Sequence, residues 1–260
     1  MKWKIQCKIW ENEDSNREIS FVFNHVAALF TQMIPEEPPL GYKPIVLVND
    51  LFYDHRIYWP INPEYYKIGL NTGPKNYGKA AYEFTHELTH IYCDPRIVNW
   101  LTETISHLVS FHVLDVLAKK WEESPPEKAD PYSYDMLRCY KIDMMREAYH
   151  KIDLVQHQMS DNWIKKEIKN IHTHPDLGNH VIYNVFALEL LPFFEQNPEG
   201  WEILPYIGKS STPSPPENNT VLDMVVNSQP DPDMLPEIVP DNLKPIADEI
   251  ISKLWKETKT

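Results

Sequence analysis

"EFTHELTHIY", residues 83–92, places two histidines and a glutamate in the order H-E-x-x-H. On a helix, positions four residues apart lie on one face, so His86 and His90 can direct their imidazoles at a single point. Glu87 follows His86 and is offset around the helix, where its carboxylate can approach a metal-bound water without being a ligand. The spacing therefore predicts part of a zinc site. The alternative is two surface or core histidines beside a solvated glutamate.

A catalytic zinc site needs three protein ligands and an open position, so one more ligand must come from elsewhere in the chain. Pro95 predicts that the helix over 79–93 ends just before it. In "NWLTETISHLVSF", residues 99–111, Asn99 has the residue type of an N-cap and Glu103 falls in the first turn of the next helix. A second helix packed against the first can return this carboxylate to the two histidines. The alternative is an acidic residue that only stabilises the N-terminus of the helix through the helix dipole.

"HELTH" followed by "NWLTE" resembles the gluzincin metallopeptidases, specifically the small peptidase-MA-like group whose second helix opens with W-L-x-E. The match covers about residues 79–111. Carried over residue by residue, the resemblance implies that His86, His90 and Glu103 bind one Zn²⁺ per chain. It implies that Glu87 is the general base. It also implies a zincin-like α+β fold, with a mixed sheet and the active-site helix in the N-terminal part and a mainly helical C-terminal part.

The chain departs from this family near the third ligand. Thr104 stands where these relatives often have glycine, and His107 stands where many larger gluzincins have an aspartate that holds a zinc histidine. An imidazole at position 107 can accept a hydrogen bond from a ligand, or it can compete for the metal. Asp94, four residues after His90, is another candidate for orienting that histidine, or else a helix-end residue without this role.

Zinc peptidases usually add a donor that stabilises the oxyanion, and the resemblance suggests a Tyr or His on a later helix. Residues 171–191 contain His172, His174, His180 and Tyr183. Tyr183 is the favoured catalytic candidate, because its apolar neighbours predict a helix buried against the body of the protein. A core tyrosine with a paired hydroxyl is the alternative.

The chain is predicted to form a single unit over 1–260, with a strand-containing part at 1–78, the zinc-site helices at 79–121 and a helical part at 122–260. Within the last part, the proline-rich stretch at 210–220, "SSTPSPPENNT", is expected to be a surface excursion. Strands are predicted near 2–10, 44–50 and 64–73. Helices are predicted near 20–34, 79–93, 100–121, 131–153, 160–171, 178–196 and 242–257.

The stretch "YYKIGLNTG", residues 65–73, can supply an edge strand along which an extended peptide binds through main-chain hydrogen bonds. An ordinary sheet strand is the alternative, and the sequence favours it. The Gly-x-Met-x-Asn motif of aminopeptidases is absent, which disfavours an exopeptidase.

The formal charge of -13 repels phosphate backbones and anionic headgroups, and no stripe of Lys and Arg offsets it. Nucleic-acid and membrane-surface partners are therefore disfavoured. Cys7, Cys93 and Cys139 are odd in number and lack C-x-x-C spacing, which favours reduced thiols in a cytoplasmic protein. The start of the chain has no long apolar run, so no signal peptide or spanning helix is predicted, although a mature chain would have lost its leader.

These patterns predict a zinc-dependent peptidase that acts on a peptide or protein substrate, with Glu87 as general base for a metal-activated water. One alternative is a non-catalytic interaction protein on a zincin scaffold. Another is a zinc hydrolase of a small amide. An extended polypeptide needs a cleft open at both ends, so the shape of the pocket separates the peptidase from the amide hydrolase. Substrate preference and oligomeric state are not specified by the sequence.

Overall fold

The computed structural model describes residues 2–50, 52, 55–127, 129–156, 163–175, 179–212 and 228–256, without the side chains of 152–156. Within these ranges the chain is an α+β protein, in which a small mixed sheet of four strands accompanies mainly helical structure. The α+β class predicted from the sequence is therefore confirmed. None of the helices in these ranges combines the length and the apolar character that crossing a bilayer requires.

The sheet consists of short strands: β1 (Ile5–Lys8), β2 (Ile45–Asn49), β3 (His55–Ile57) and β4 (Tyr66–Leu70). Their spatial order is β1-β2-β4-β3, with β1, β2 and β4 parallel and β3 antiparallel to β4. Because β4 is paired on both sides, the stretch 65–73 is an ordinary sheet strand, which is the interpretation the sequence favoured over an edge strand. The edge beside β4 is β3. The sequence did not predict β3, because its three residues are all of intermediate burial and show no alternation.

The longer helices in the described ranges are α1 (Glu13–Met33), α2 (Tyr77–Cys93), α3 (Trp100–Glu123), α4 (Ser133–Gln156), α5 (Trp163–Thr173) and α6 (His180–Gln196). Shorter helical segments follow at Pro198–Ile203, Leu204–Lys209, Pro232–Met234, Leu235–Ile238, Asp241–Leu243 and Lys244–Leu254. The predicted helices match these bounds closely, except that α1 begins earlier than expected, because the Asn12 side chain caps it by accepting from the Asp14 and Ser15 amides. Residues 213–220 of the predicted excursion lie outside the described residues.

Helix α2 lies at the centre of the molecule. Every residue from Tyr77 to Cys93 except Lys79 is buried. The helix contacts α1, α3, α4, β3 and β4, so its polar side chains lie in the interior, where each needs a partner. The surrounding core is rich in aromatic side chains, as the composition predicts. Its largest fully buried members include Trp100, Trp121, Trp201, Tyr66, Tyr77, Tyr92 and Tyr183.

The turn that follows α2 is fixed by its own side chains. As predicted, the helix ends at Cys93, and Asp94 then adopts a φ of 122°, which non-glycine residues rarely do. The Asp94 carboxylate accepts hydrogen bonds from the Arg96 backbone amide (3.0 Å), Nε (2.8 Å) and Nη2 (2.5 Å). This clamp holds the short connection that leads into α3.

Gly208, in the segment Leu204–Lys209, approaches the end of α2 so closely that a Cβ atom would lie 1.5 Å from the Cys93 carbonyl oxygen. Gly208→Ala must therefore push the two backbones apart, and we expect it to lower the free energy of unfolding by about 3 kcal/mol or more. Urea unfolding of both proteins measures the difference. Gly73→Ala is the matched control, because no atom lies within 4 Å of a Cβ there. Equal stability of Gly208→Ala and the parent would show that this contact does not hold α2.

Candidate metal centre

Three side chains converge between α2 and α3. His86 and His90, one helical turn apart on α2, have their Nε2 atoms 3.1 Å from each other. Across from them, the Glu103 carboxylate on α3 lies 3.2 Å from His86 Nε2 through Oε2 and 3.2 Å from His90 Nε2 through Oε1. Zinc–ligand bonds of about 2.0–2.1 Å in a tetrahedron separate neighbouring ligand atoms by about 3.3 Å. The spacing of these three groups therefore matches that of ligands around one zinc ion.

Local capping explains how Glu103 reaches the two histidines. Asn99 begins α3 with a capping box: its side chain accepts from the Leu101 and Thr102 amides, and the Thr102 hydroxyl accepts from the Asn99 amide. This places Glu103 in the first turn of α3, as the sequence predicts. Because the carboxylate contacts both imidazoles, a favourable interaction with the helix dipole does not by itself account for its position.

The centre is almost closed to solvent. His86, His90 and Glu103 are 2%, 6% and 5% exposed. Burial and the nearby His55 lower the pKa of His86 to about 4, so this imidazole is neutral at pH 7 and able to bind a metal. Burial opposes ionisation of Glu103, but the charges and hydrogen bonds of His90 and His86 outweigh it and hold the pKa of that carboxyl well below its usual range. The donor set is therefore one carboxylate and imidazole nitrogens, which suits zinc.

A divalent cation fits this arrangement better than protons do. The Nε2 atoms of His86 and His90 and both Glu103 oxygens point at one small volume. With a proton on each Nε2, both imidazoles would donate to Glu103, but two N–H groups would then lie 3.1 Å apart. A single cation instead accepts lone pairs from both imidazoles and from Glu103. The Nδ1 atoms of His86 and His90 are buried and have no hydrogen-bond partner in the described part of the chain, so no hydrogen bond there sets the orientation of either ring.

Asp94 does not orient His90. Its carboxylate is occupied by Arg96, while His90 Nδ1 accepts or donates no hydrogen bond within the described ranges. Of the two interpretations that the sequence left open, the structure therefore favours a helix-end residue. The physical reason is the positive φ of Asp94, which turns the chain away from the helix and directs the carboxylate at the following loop.

His107 presents an unprotonated nitrogen to the centre. The Tyr82 hydroxyl donates to Asn184 Oδ1 at 2.9 Å, so His107 Nδ1, 2.5 Å from the same hydroxyl oxygen, carries the hydrogen in that pair. His107 Nε2 is then an acceptor, and His180 Nδ1 lies 3.5 Å from it. Single ligand atoms of His86, Glu103 and His107 all lie within 4.8 Å of one another. Of the two predicted roles, the geometry therefore favours a nitrogen that can approach the metal over one that orients His86.

Glu87 lies beside the three candidate ligands and is paired with a residue that the sequence did not single out. His55 Nδ1, from strand β3, is 2.6 Å from Glu87 Oε1, and the two side chains are 6% and 5% exposed. Burial opposes ionisation of Glu87, but His55 outweighs it and lowers the pKa of the carboxyl, so Glu87 is an anion at pH 7. Single ligand atoms of His55, His86 and Glu87 lie within 4.8 Å of one another. Glu87 is thus placed next to the ligand cluster, as the motif predicts.

A cavity of about 380 Å³ opens beside the ligand cluster. Its wall is formed by β3, α2, α3, α4 and the start of α6, through His55, Lys79, Tyr82, Glu83, His107, Tyr140, Met144, Glu147, Asn179, His180, Val181 and Asn184. This volume lies near the lower end of the range for small-molecule sites. It has room for a small ligand or a short piece of peptide.

Of the four oxyanion-donor candidates, only His180 reaches this cavity. Its ring lies 5.7 Å from that of His55. Tyr183 is buried, stacks on His107 with ring centroids 6.4 Å apart, and is not among the residues that line the cavity. His172 accepts from the Trp100 indole, and His174 is exposed.

Glu83 is a buried acid at the edge of the cavity. Its Oε2 accepts from the Asn71 amide at 2.9 Å, and Lys79 Nζ lies 3.4 Å from Oε1. Burial raises the pKa of Glu83 from 4.5 to about 7. Because the folded state keeps a proton that the unfolded state has lost, stability falls as pH rises from about 4.5 to 7.

This shift can be tested on metal-free protein. We expect the parent to lose on the order of 3 kcal/mol more than Glu83→Gln between pH 5 and pH 8, since the glutamine cannot ionise. Urea unfolding of both proteins at pH 5 and pH 8, with chelator present, gives the change in the free energy of unfolding for each. Parallel pH dependence in parent and variant would contradict the raised pKa.

Comparison with known proteins identifies no relative: no protein-family model, no curated protein and no solved structure matches this chain. The candidate roles of His86, Glu87, His90 and Glu103 therefore rest on the sequence pattern and geometry of this chain alone.

Proposed function

We propose that the protein is a zinc-dependent peptidase with a zincin-like arrangement, in which His86, His90 and Glu103 hold one Zn²⁺ and Glu87 is the general base. The observation that carries this proposal is the convergence of the three ligand groups at 3.1–3.2 Å, with the Glu87 carboxylate beside them. The order of these groups along α2 and α3 is that of the gluzincin motif described above.

Zinc, when bound, supplies Lewis acidity that activates water and polarises the scissile carbonyl. Glu87 accepts a proton from the attacking water and returns it to the leaving amine nitrogen. Its anionic state at pH 7 and its burial support this role, because a buried carboxylate with one fixed partner is held ready to accept a proton. Glu87 does not need to ligate the metal for this chemistry.

For the oxyanion donor, the cavity supports His180 in preference to Tyr183. His180 lines the cavity next to His55, whereas the Tyr183 ring stacks on His107 and is not among the residues that line the cavity. A neutral or protonated imidazole can donate a hydrogen bond to a developing oxyanion. Tyr183 then remains a buried residue of the core.

A zinc hydrolase of a small amide is the second candidate. Two observations favour it: the cavity holds only about 380 Å³, and the ligand side chains are nearly inaccessible. A long polypeptide needs more room on both sides of the scissile bond than a cavity of this size offers. A peptide substrate therefore either is short or inserts only one of its ends into the cavity.

The net charge supports a protein that does not bind nucleic acids or membrane surfaces, and the state of the cysteines bears on its compartment. The charge of -13 repels polyanions. Cys7, Cys93 and Cys139 are all free, which supports a reducing, cytoplasmic compartment.

The experiment combines metal analysis with two substrate sets. Zinc-loaded protein, chelator-treated protein and protein restored with zinc are each incubated with a mixed peptide library and with a panel of small amides. Cleavage that disappears on chelation and returns with zinc supports the hydrolase, and the set that is cleaved separates peptidase from amidase. Zinc-loaded protein that cleaves neither set would favour a non-catalytic interaction protein.

A further inference from the structure

His55 connects the edge of the sheet to the candidate base. It is the first residue of β3, where its backbone pairs with Leu70 of β4. Although β3 is an edge strand, the His55 side chain is only 6% exposed, because it enters the space between the sheet and α2. Its ring lies 4.4 Å from the His86 ring and forms part of the cavity wall.

The contact between His55 and Glu87 is a hydrogen bond and not a sign of shared metal ligation. His55 Nδ1 and Glu87 Oε1 are 2.6 Å apart. Two ligand atoms on one tetrahedral zinc are separated by about 3.3 Å, a spacing that His86, His90 and Glu103 match and that this pair does not. A carboxylate accepts hydrogen bonds only, so the hydrogen lies on Nδ1.

We propose that His55 is a positioning residue: through Nδ1–H it holds the Glu87 carboxylate in the orientation in which that group acts as base. This inference rests on the proposed function. Glu87 is 95% buried, and a buried carboxylate without a partner would turn toward another donor or lose its charge. The short edge strand fixes the imidazole through main-chain pairing, so the hydrogen bond is formed before substrate arrives.

Two variants of His55 with side-chain amides test which of its ring nitrogens the function requires. The side-chain amide of Asn reaches the position of Nδ1, whereas that of Gln reaches the position of Nε2. His55→Asn should therefore keep most of the function, and His55→Gln and His55→Ala should not. His174→Asn, at an exposed histidine, is the control.

The kinetic readout is turnover of the best-cleaved member of a quenched fluorescent peptide library. We expect His55→Ala to bind zinc like the parent, with KM nearly unchanged and kcat about 10- to 100-fold lower. His55→Asn should recover most of kcat. Loss of zinc in His55→Ala would overturn the positioning role in favour of metal ligation. A kcat for His55→Ala equal to that of the parent would also overturn it.

A second readout does not depend on turnover. In zinc-loaded parent, ¹⁵N-edited proton NMR should show a protected His55 Nδ1–H resonance that is lost in Glu87→Ala. Its absence from the parent would overturn the inference. If Glu87→Gln abolishes turnover while His55→Ala does not, only the role of His55 fails. If neither change affects turnover, or if the parent has none, the proposed function fails and this inference fails with it.

Discussion

Glu87→Gln is expected to lower turnover by the zinc-loaded protein by about 10²- to 10⁴-fold while its zinc content and fold stay unchanged. Glutamine keeps the shape of the side chain and can still hydrogen-bond to water and to His55, but it cannot accept a proton. Because Glu87 is offset from the ligand atoms of His86, His90 and Glu103, its replacement leaves the metal ligands in place. The variant should therefore hold substrate without cutting it.

The measurement compares zinc content, circular dichroism and turnover on one cleaved substrate. Glu123→Gln, an exposed position at the end of α3, is the matched control and should behave like the parent. Zinc-loaded Glu87→Gln that turns over as fast as the parent would exclude Glu87 as the base.

Glu103→Ala is expected to weaken zinc binding by more than about 100-fold. A loss of about 100-fold is the upper end of the effect on metal affinity when a residue that hydrogen-bonds to a metal ligand is replaced, and the loss of a ligand itself should exceed it. The substitution removes the one carboxylate of the ligand set and leaves His86 and His90 alone. Competition with a chromophoric chelator measures the affinity, and Glu123→Ala on the same helix is the control.

Thermal unfolding gives an independent check on Glu103. Zinc that binds only the folded state raises its melting temperature, so chelation should lower the melting temperature of the parent and have little effect on Glu103→Ala. If Glu103→Ala binds zinc as tightly as the parent, the assignment is wrong, and His107, whose ligand atom lies within 4.8 Å of one of His86, becomes the leading third ligand.

The convergence of His86, His90 and Glu103 was predictable because its signals are local. Helical periodicity places His86 and His90 on one face, and the break at Pro95 together with the Asn99 cap fixes where α3 begins. Glu103 then needs only a short connection between two packed helices to reach the histidines. Each of these steps depends on residues close together in the sequence.

His55 was not predictable in the same way. It meets Glu87 across 32 positions of sequence, through a strand of three residues whose pattern carries no periodicity. The placement of Tyr183 and His180 relative to the cavity was not predictable for a related reason. Of two positions three residues apart on one helix, one can face the core and the other the cavity. Only tertiary packing decides which of the two faces the cavity.

Asp94 shows a third limit of prediction from sequence. Its distance from His90 in sequence suits a residue that orients the ring, but the positive φ at the end of α2 redirects its carboxylate to Arg96. Backbone conformation of this kind is rare for aspartate, and sequence spacing does not reveal it.

The most direct measurement is anomalous diffraction at the zinc edge from crystals of the zinc-loaded protein. We predict one strong peak per chain, about 2.0–2.2 Å from His86 Nε2, His90 Nε2 and a Glu103 carboxylate oxygen, with Glu87 outside the ligand set. A structure of zinc-treated protein with no peak between these three side chains, or with zinc held by another set such as His55 and Glu87, would contradict the proposed metal centre.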